Sequence, residues 1–301
     1  MTNPTRPTRS PGVDHPIALE VAEGMATAIA PNGHLLAASM SAIVLAEADY
    51  PRVTYFPREN VEPSALEPTA HRSWCPYKGE AAYDAVLGEP NQAWTYYDPP
   101  PAVADIAGHV AFYPQAATIG QEVLPSPSPD ALSVLSFWFE EVKPGRRFKR
   151  DDALDAEIAR RFSALHEAAA QGELDEWDHE PDGALARIIL LDQFSRNLFR
   201  GDPRAFAQDE AGLAAADHLV SRGFDLALSA ERRAFAYLPF MHAEDIAAQN
   251  RAVRLYWNRL PGAENLRYAL AHREEIHRYG RFKGRDEALG RTGEQETDQP
   301  E

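Results

Sequence analysis

The distribution of proline divides this chain into two halves that follow different folding patterns. Sixteen of the 24 prolines lie before residue 126, and proline lacks the backbone N–H that a helix interior requires. In that half the apolar residues form short runs bounded by proline, glycine or aspartate, which is typical of strands. After Ser128 they recur at helical spacing. The sequence therefore predicts two domains: a small, mostly β domain, then an all-α stack of antiparallel helices.

Composition sets the expected boundaries. Residues 1–16 contain no apolar run and are predicted to be a disordered lead-in, followed by the β domain over residues 17–121. A proline- and serine-rich linker is predicted at 122–130 and the helical domain at 131–291. The acidic residues 292–301 are predicted to be disordered.

Charge and cysteine content argue against several classes of protein. The chain has a net charge of −16. Residues 1–125 carry 14 acidic and 6 basic side chains, and the remaining residues carry 32 acidic and 24 basic side chains, so neither part is basic. We therefore expect no nucleic-acid partner, because phosphate binding normally requires a basic surface. We expect no membrane association, secretory signal or cofactor either. The single cysteine, Cys75, favours a reducing compartment, and the cytoplasm is the expected location.

Local signals predict six short strands in the first half. Apolar runs at Met25–Ala30 and His34–Ser39 flank Asn32-Gly33, a strong signal for a tight hairpin. The other four predicted strands are Ile43–Ala46, Val53–Phe56, Trp94–Tyr97 and His109–Tyr113. They are rich in β-branched and aromatic residues.

A polar motif between these strands brings His71, Cys75 and Lys78 within eight residues. Nearby cations lower the pKa of a thiol and make it nucleophilic, so these three residues form one candidate site. The alternative is that Cys75 is a small buried apolar residue before a turn.

In the second half, the helix predicted from Pro181 to about Arg200 carries the densest set of polar side chains. Gln193, Arg196, Asn197 and Arg200 fall on one helical stripe, and Asp192 stands four residues before Arg196. A guanidinium held in place by a carboxylate suits a phosphate or carboxylate ligand. The alternative is a buried network that locks helix packing.

The remaining candidates lie in two further predicted helices, Met241–Leu260 and Glu264–Tyr279, and in the arginine-rich loop that follows the second of them. His242 and His272 are candidate general bases, while Glu244, Gln249 and Arg281 are candidate ligand contacts. On a regular helix His242 and Glu244 point about 160° apart, so no metal site is predicted.

Short strings in the β half resemble the bacterial family catalogued as domain of unknown function 427. They include Tyr55-Phe56-Pro57-Arg58-Glu59, Cys75-Pro76-Tyr77-Lys78-Gly79 and Gly108-His109-Val110-Ala111-Phe112-Tyr113-Pro114. The resemblance implies a small, mostly β domain without an assigned activity. Asn60 stands where that family usually has aspartate.

The helical half resembles the family catalogued as domain of unknown function 924. The matching strings are Phe137-Trp138-Phe139, Leu191-Asp192-Gln193-Phe194-Ser195-Arg196-Asn197, Pro239-Phe240-Met241-His242-Ala243-Glu244-Asp245 and Gly280-Arg281-Phe282. The resemblance implies a tetratricopeptide-like helical fold, again without an assigned reaction. Where the family continues with Pro-His-Arg-Asn, this chain has Lys283-Gly284-Arg285-Asp286. A reaction that depended on that histidine would be lost or altered here.

Two functional hypotheses follow. In the first, the helical domain binds, and in one version processes, an anionic small molecule in a pocket lined by arginine, histidine and glutamine. In the second, the helical stack presents a groove to another protein and the β domain is an accessory. The sequence does not determine whether a reaction is catalysed, nor the oligomeric state.

Overall fold

The computed structural model describes residues 8–291, which divide into two compact units on either side of the Leu124–Pro125 bond. Residues 1–7 and 292–301, for which disorder is predicted, lie outside the described residues. Within the described part, no helix combines the length and apolarity needed to cross a bilayer.

The β unit is built from three antiparallel sheets. In chain order its strands are β1 (Ile17–Val21), β2 (Met25–Ile29), β3 (Leu35–Ser39), β4 (Ile43–Glu47), β5 (Val53–Tyr55), β6 (Leu66–Cys75), β7 (Gly79–Val86), β8 (Glu89–Tyr96), β9 (Val110–Phe112) and β10 (Thr118–Glu122). The sheets have the orders β1-β4-β5, β10-β2-β3 and β6-β7-β8-β9. Phe56 and Val110 exchange two backbone hydrogen bonds of 2.8 Å, which link the first sheet to the third. The mostly β prediction is confirmed.

The predicted Asn-Gly hairpin joins β2 and β3. Gly33 adopts a φ of +84°, a left-handed value that glycine accommodates without strain. The Asn32 side chain accepts a hydrogen bond from the His34 amide at 3.0 Å, which fixes the turn.

The prediction of six strands is wrong in number, because it missed β1, β10 and the hairpin of β6 and β7. That hairpin runs from Leu66 to Val86 and turns through the polar motif at residues 76–78. Most side chains of β6 and β10 are exposed, and β1 packs only Ile17 and Leu19 against the core. Strands without a buried face do not show the alternation of apolar and polar residues from which strands are predicted.

The second unit is helical, as predicted. Its helices are α1 (Pro129–Ser136), α2 (Pro144–Arg147), α3 (Asp152–Ala170), α4 (Pro181–Ile188), α5 (Ser195–Leu198), α6 (Asp209–Ser221), α7 (Phe224–Ala227), α8 (Ala230–Ala236), α9 (Leu238–His242), α10 (Ile246–Arg259), α11 (Asn265–Tyr279) and α12 (Asp286–Leu289). Ser128 caps α1 as its sequence predicts, accepting the Asp130 amide at 3.3 Å. The core includes Trp138 and Phe194, whose rings lie 5.5 Å apart. The likeness to tetratricopeptide folds stays a prediction.

Two predicted helices have different courses. The helix predicted from Pro181 to about Arg200 is α4, a π-helical segment over Ile189–Phe194, and α5, which ends at Leu198. The helix predicted over Met241–Leu260 is broken after His242, and α10 begins at Ile246. The Asp245 carboxylate accepts the Ala248 amide at 2.7 Å, so Asp245 is an N-cap rather than a helix interior residue.

Candidate functional site

The π-helical segment places Asp192 in the interior of the helical unit. A π turn holds one more residue than an α turn, so it changes the direction of the side chains within it. Asp192 is buried, and its Oδ2 accepts a hydrogen bond of 2.5 Å from Nε2 of the adjacent Gln193. The wider turn therefore gives a buried carboxylate an amide partner from the next residue.

Asp192 also binds His242, at the end of α9. Nδ1 of His242 lies 2.7 Å from Oδ1 of Asp192. A carboxylate only accepts hydrogen bonds, so Nδ1 carries a proton, and in a neutral imidazole Nε2 is then an acceptor. Among the described residues, none hydrogen-bonds to Nε2. The break after His242 lets this side chain end a helix and point at the carboxylate.

Three side chains keep Asp192 ionised. Burial by itself would raise the pKa of this carboxyl, but Arg196 at 3.1 Å, His242 and Gln193 lower it well below its ordinary value. The Asp192 charge is therefore present throughout the physiological pH range.

A second carboxylate, Asp209 at the start of α6, joins two guanidinium groups. Arg196 donates to its Oδ1 at 3.0 Å and Arg285 donates to its Oδ2 at 2.9 Å. The Arg285 guanidinium lies 4.6 Å from the ring centres of both Phe206 and Phe282. Burial lowers the pKa of Arg285, so this cation has lost part of its hydration.

His272 of α11 lies next to His242, with ring centres 6.4 Å apart. Its Nδ1 is 3.2 Å from the Met241 carbonyl, to which it donates. Burial, followed by the neighbouring His242, lowers the pKa of His272 below 6.5. We call this set the polar cluster: Asp192, Arg196, Asp209, His242, His272 and Arg285.

Four other predicted candidates lie around the cluster, where Gln193 and Arg281 bind carboxylates and Gln249 and Glu244 bind backbone groups. Gln193 binds Asp192, and Gln249 donates to the carbonyls of Met241 and Ala243 across the helix break, at 2.7 and 2.8 Å. Glu244 accepts the Phe282 amide at 2.9 Å and pairs with Arg291 at 2.7 Å. Arg281 pairs with Asp286 at 3.1 Å within the final loop.

Asn197 and Arg200 bind a different carboxylate. Both donate to Asp155 of α3, Asn197 at 2.7 Å and Arg200 at 2.8 and 2.9 Å. The expected single stripe of Gln193, Arg196, Asn197 and Arg200 is therefore divided among three carboxylates: the first two side chains bind Asp192 and Asp209, and the last two bind Asp155.

The candidates in the β unit occupy three separate environments. His71 is exposed and its ring packs edge-on against Tyr83, with centres 4.5 Å apart. Cys75 is partly buried beside an apolar cluster that contains Tyr55. Lys78 is buried and forms an ion pair with Glu47.

Sequence reasoning missed Asp209 as a site residue and named Arg285 only within the segment Lys283-Gly284-Arg285-Asp286, not as a site residue of its own. The two residues are 76 positions apart, so no local spacing connects them. Among the described residues, no three histidine, cysteine, aspartate or glutamate side chains are grouped so as to hold a metal ion.

Each half of the chain matches the model of one known family. The model of the family described as "Bacterial protein of unknown function (DUF924)" matches residues 134–299, more than half of the chain. The chain belongs to this family. The DUF924 match contains every residue of the polar cluster. The model described as "Domain of unknown function (DUF427)" matches residues 23–122, so the predicted fusion of two such domains is confirmed.

Solved structures include a protein that is similar to this DUF924 protein. It is a protein of unknown function from Agrobacterium tumefaciens, 42% identical, and the alignment covers 54% of this chain and 90% of that one, with a TM-score of 0.52. No curated protein matches the chain.

Proposed function

We propose that the helical unit binds a small anionic molecule at the polar cluster, in the cytoplasm, and that His242 exchanges a proton with it. The observation that carries the proposal is the shared carboxylate: Asp209 holds Arg196 and Arg285 together, beside a histidine that Asp192 orients.

The charges of the polar cluster can accommodate an anion. Two guanidinium groups share Asp209, and the second carboxylate, Asp192, is bound by both Arg196 and His242. Each of these two carboxylates therefore binds more than one cationic or hydrogen-bond-donating side chain. With His242 neutral, two guanidinium groups face two carboxylates, so an anion that binds together with a proton on His242 leaves the formal charge of the cluster unchanged. The partly desolvated guanidinium of Arg285 gains from the added negative charge.

The orientation of His242 suits acid–base chemistry. With Nδ1–H directed to Asp192, Nε2 accepts a proton from a bound hydroxyl group or water, and Asp192 stabilises the resulting imidazolium. Arg196 and Arg285 would stabilise negative charge on the ligand. His272, whose pKa is lowered by burial, lies close enough to serve as a second acceptor.

Thermal-shift measurements on the full chain test the proposal. The probes are inorganic phosphate, pyrophosphate, glucose 6-phosphate and citrate, each compared with sodium chloride of equal ionic strength. A ligand that binds only the folded state raises the midpoint of unfolding by mass action. We expect at least one probe to raise the midpoint above its chloride control.

Arginine variants locate the binding. Arg196→Gln and Arg285→Gln should abolish the probe-dependent shift, whereas Arg200→Gln should retain it, because Arg200 pairs with Asp155. An equal shift in all three variants would place the anion elsewhere. No shift with any probe would overturn the proposal and favour the protein-binding groove as the next hypothesis.

A further inference from the structure

A cleft of about 890 Å³ opens in the β unit, between β4, β5, β8 and the residues around β9 and β10. Its walls carry six aromatic side chains that are at least partly buried: Tyr55, Tyr83, Trp94, Tyr96, Phe112 and Tyr113. We propose that this cleft binds a planar aromatic small molecule with a hydrogen-bond-accepting oxygen, which receives a hydrogen bond from Lys78.

The rings are arranged to receive another ring. Trp94 lies 4.6 Å from Tyr113 in a tilted contact and 6.3 Å from Tyr55 in an edge-to-face contact. Tyr83, Trp94 and Tyr113 are only half-buried, and all three line the cleft. Aromatic pairs in tilted, edge-on or offset geometry are more favourable than area burial alone accounts for. A planar ring would add such contacts to ring surface that water now covers.

Lys78 supplies the polar end of the proposed site. Its side chain is 8% exposed, and among the described residues its Nζ hydrogen-bonds to Glu47 alone. An ammonium group has three donors, so two lack a protein acceptor. A buried donor without an acceptor is costly, and a ligand oxygen at the cleft would remove that cost.

The negative charge of Glu47 balances the positive charge of Lys78. Burial would raise the pKa of Glu47, but His15 and Lys78 together lower it, so the carboxylate stays ionised beside the ammonium. Because Lys78 already has an anionic partner, a neutral oxygen acceptor such as an amide or ketone carbonyl suffices.

Two hydroxyl groups of the cleft already have protein partners. The Tyr55 hydroxyl accepts from Nε1 of Trp94 at 3.3 Å, and the Tyr83 hydroxyl is 2.8 Å from Oγ of Ser73. These groups are engaged with protein partners, and much of the remaining wall is apolar, including Leu45 and Phe112. The volume is within the range of small-molecule sites.

Ligand-observed NMR on the full chain tests the assignment with benzamide and cyclohexanecarboxamide. The two probes share the carbonyl acceptor and differ in the aromatic ring. We expect saturation transfer to benzamide and a Kd at least fivefold lower than that of cyclohexanecarboxamide. Equal affinity for the two probes, or no transfer to either, would overturn the proposal.

Substitutions then locate the site. Trp94→Leu should raise the Kd for benzamide at least fivefold, while Tyr97→Leu, an exposed aromatic position next to β8 outside the cleft lining, should leave it unchanged. Tyr113→Leu gives a second test if Trp94→Leu does not fold. Lys78→Met should also weaken benzamide binding. Retention of wild-type affinity in every folded cleft variant would overturn the assignment.

Discussion

The environment of Asp192 makes it the residue on which the polar cluster depends. It is 1% exposed, yet Arg196, His242 and Gln193 all direct hydrogen bonds or charge at it. A buried carboxylate without such partners would take up a proton. Removing its charge should therefore leave Arg196 without one of its two partners and His242 without the group that orients it.

We expect Asp192→Asn to lower the free energy of unfolding by about 3–5 kcal/mol near pH 7, the usual cost of breaking a buried ion pair. Urea unfolding followed by circular dichroism measures the change. Glu157→Gln is the control, because the Glu157–Arg160 pair lies on the surface, and it should produce no measurable change.

The difference in stability between wild type and Asp192→Asn should depend on pH. The pKa of Asp192 is lower in the folded state than its ordinary value of 3.8, so the unfolded state binds the proton first as pH falls. Wild-type stability from this group is therefore complete above about pH 4 and is lost below it. The difference between wild type and Asp192→Asn should shrink in that acid range. A constant difference would show that the Asp192 charge is not what stabilises the folded state.

At the scale of single elements, the start of α4 depends on close packing of its backbone. Glu180 accepts hydrogen bonds from the amides of Asp182 and Gly183 as the N-cap, and burial raises its pKa to about 7. A Cβ atom at Gly183 would lie 2.5 Å from the Trp177 carbonyl oxygen, which belongs to the backbone and cannot rotate away. This position therefore requires glycine for space.

Gly183→Ala should lower the free energy of unfolding by about 1–3 kcal/mol, the usual cost of overpacking, although alanine favours helix by about 1 kcal/mol. Gly145→Ala in α2 is the matched control, since a Cβ there meets no atom within 4 Å. Urea unfolding of both variants checks the prediction. Equal stability of the two variants would contradict the packing argument.

Elements with a local signal could be predicted from the sequence. The β2–β3 hairpin follows from Asn32-Gly33 and the start of α1 from Ser128, because in each case a few adjacent residues determine the backbone. The solvent-exposed strand β6 has no buried face to give a pattern, and the π turn at Asp192 has no characteristic composition. The ion pair between Asp209 and Arg285 depends on packing of distant segments, so the sequence predicted Arg196 with its local partner Asp192 but without Asp209.

At the scale of the whole molecule, the chain contains two units that each have their own apolar core. Leu36, Phe56 and Val110 are fully buried in the β unit, and Trp138, Leu185 and Phe194 are fully buried in the helical unit. A domain with its own core can unfold as a cooperative unit. We therefore expect two calorimetric transitions, one for each unit. A substitution within one unit identifies the transition that belongs to it.

Differential scanning calorimetry of two variants tests this expectation. Asp192→Asn should lower only the helical transition, by about 6–12 °C for a loss near 3 kcal/mol in a unit of this size. Phe56→Leu should lower only the β transition, because a core cavity weakens the unit that contains it. Benzamide and the anionic probes should likewise raise separate transitions, since mass action stabilises only the unit that binds. If either substitution moved both transitions together, the two units would unfold as one. Thermal shifts caused by a ligand would then have to be assigned to a unit by the arginine and cleft variants alone.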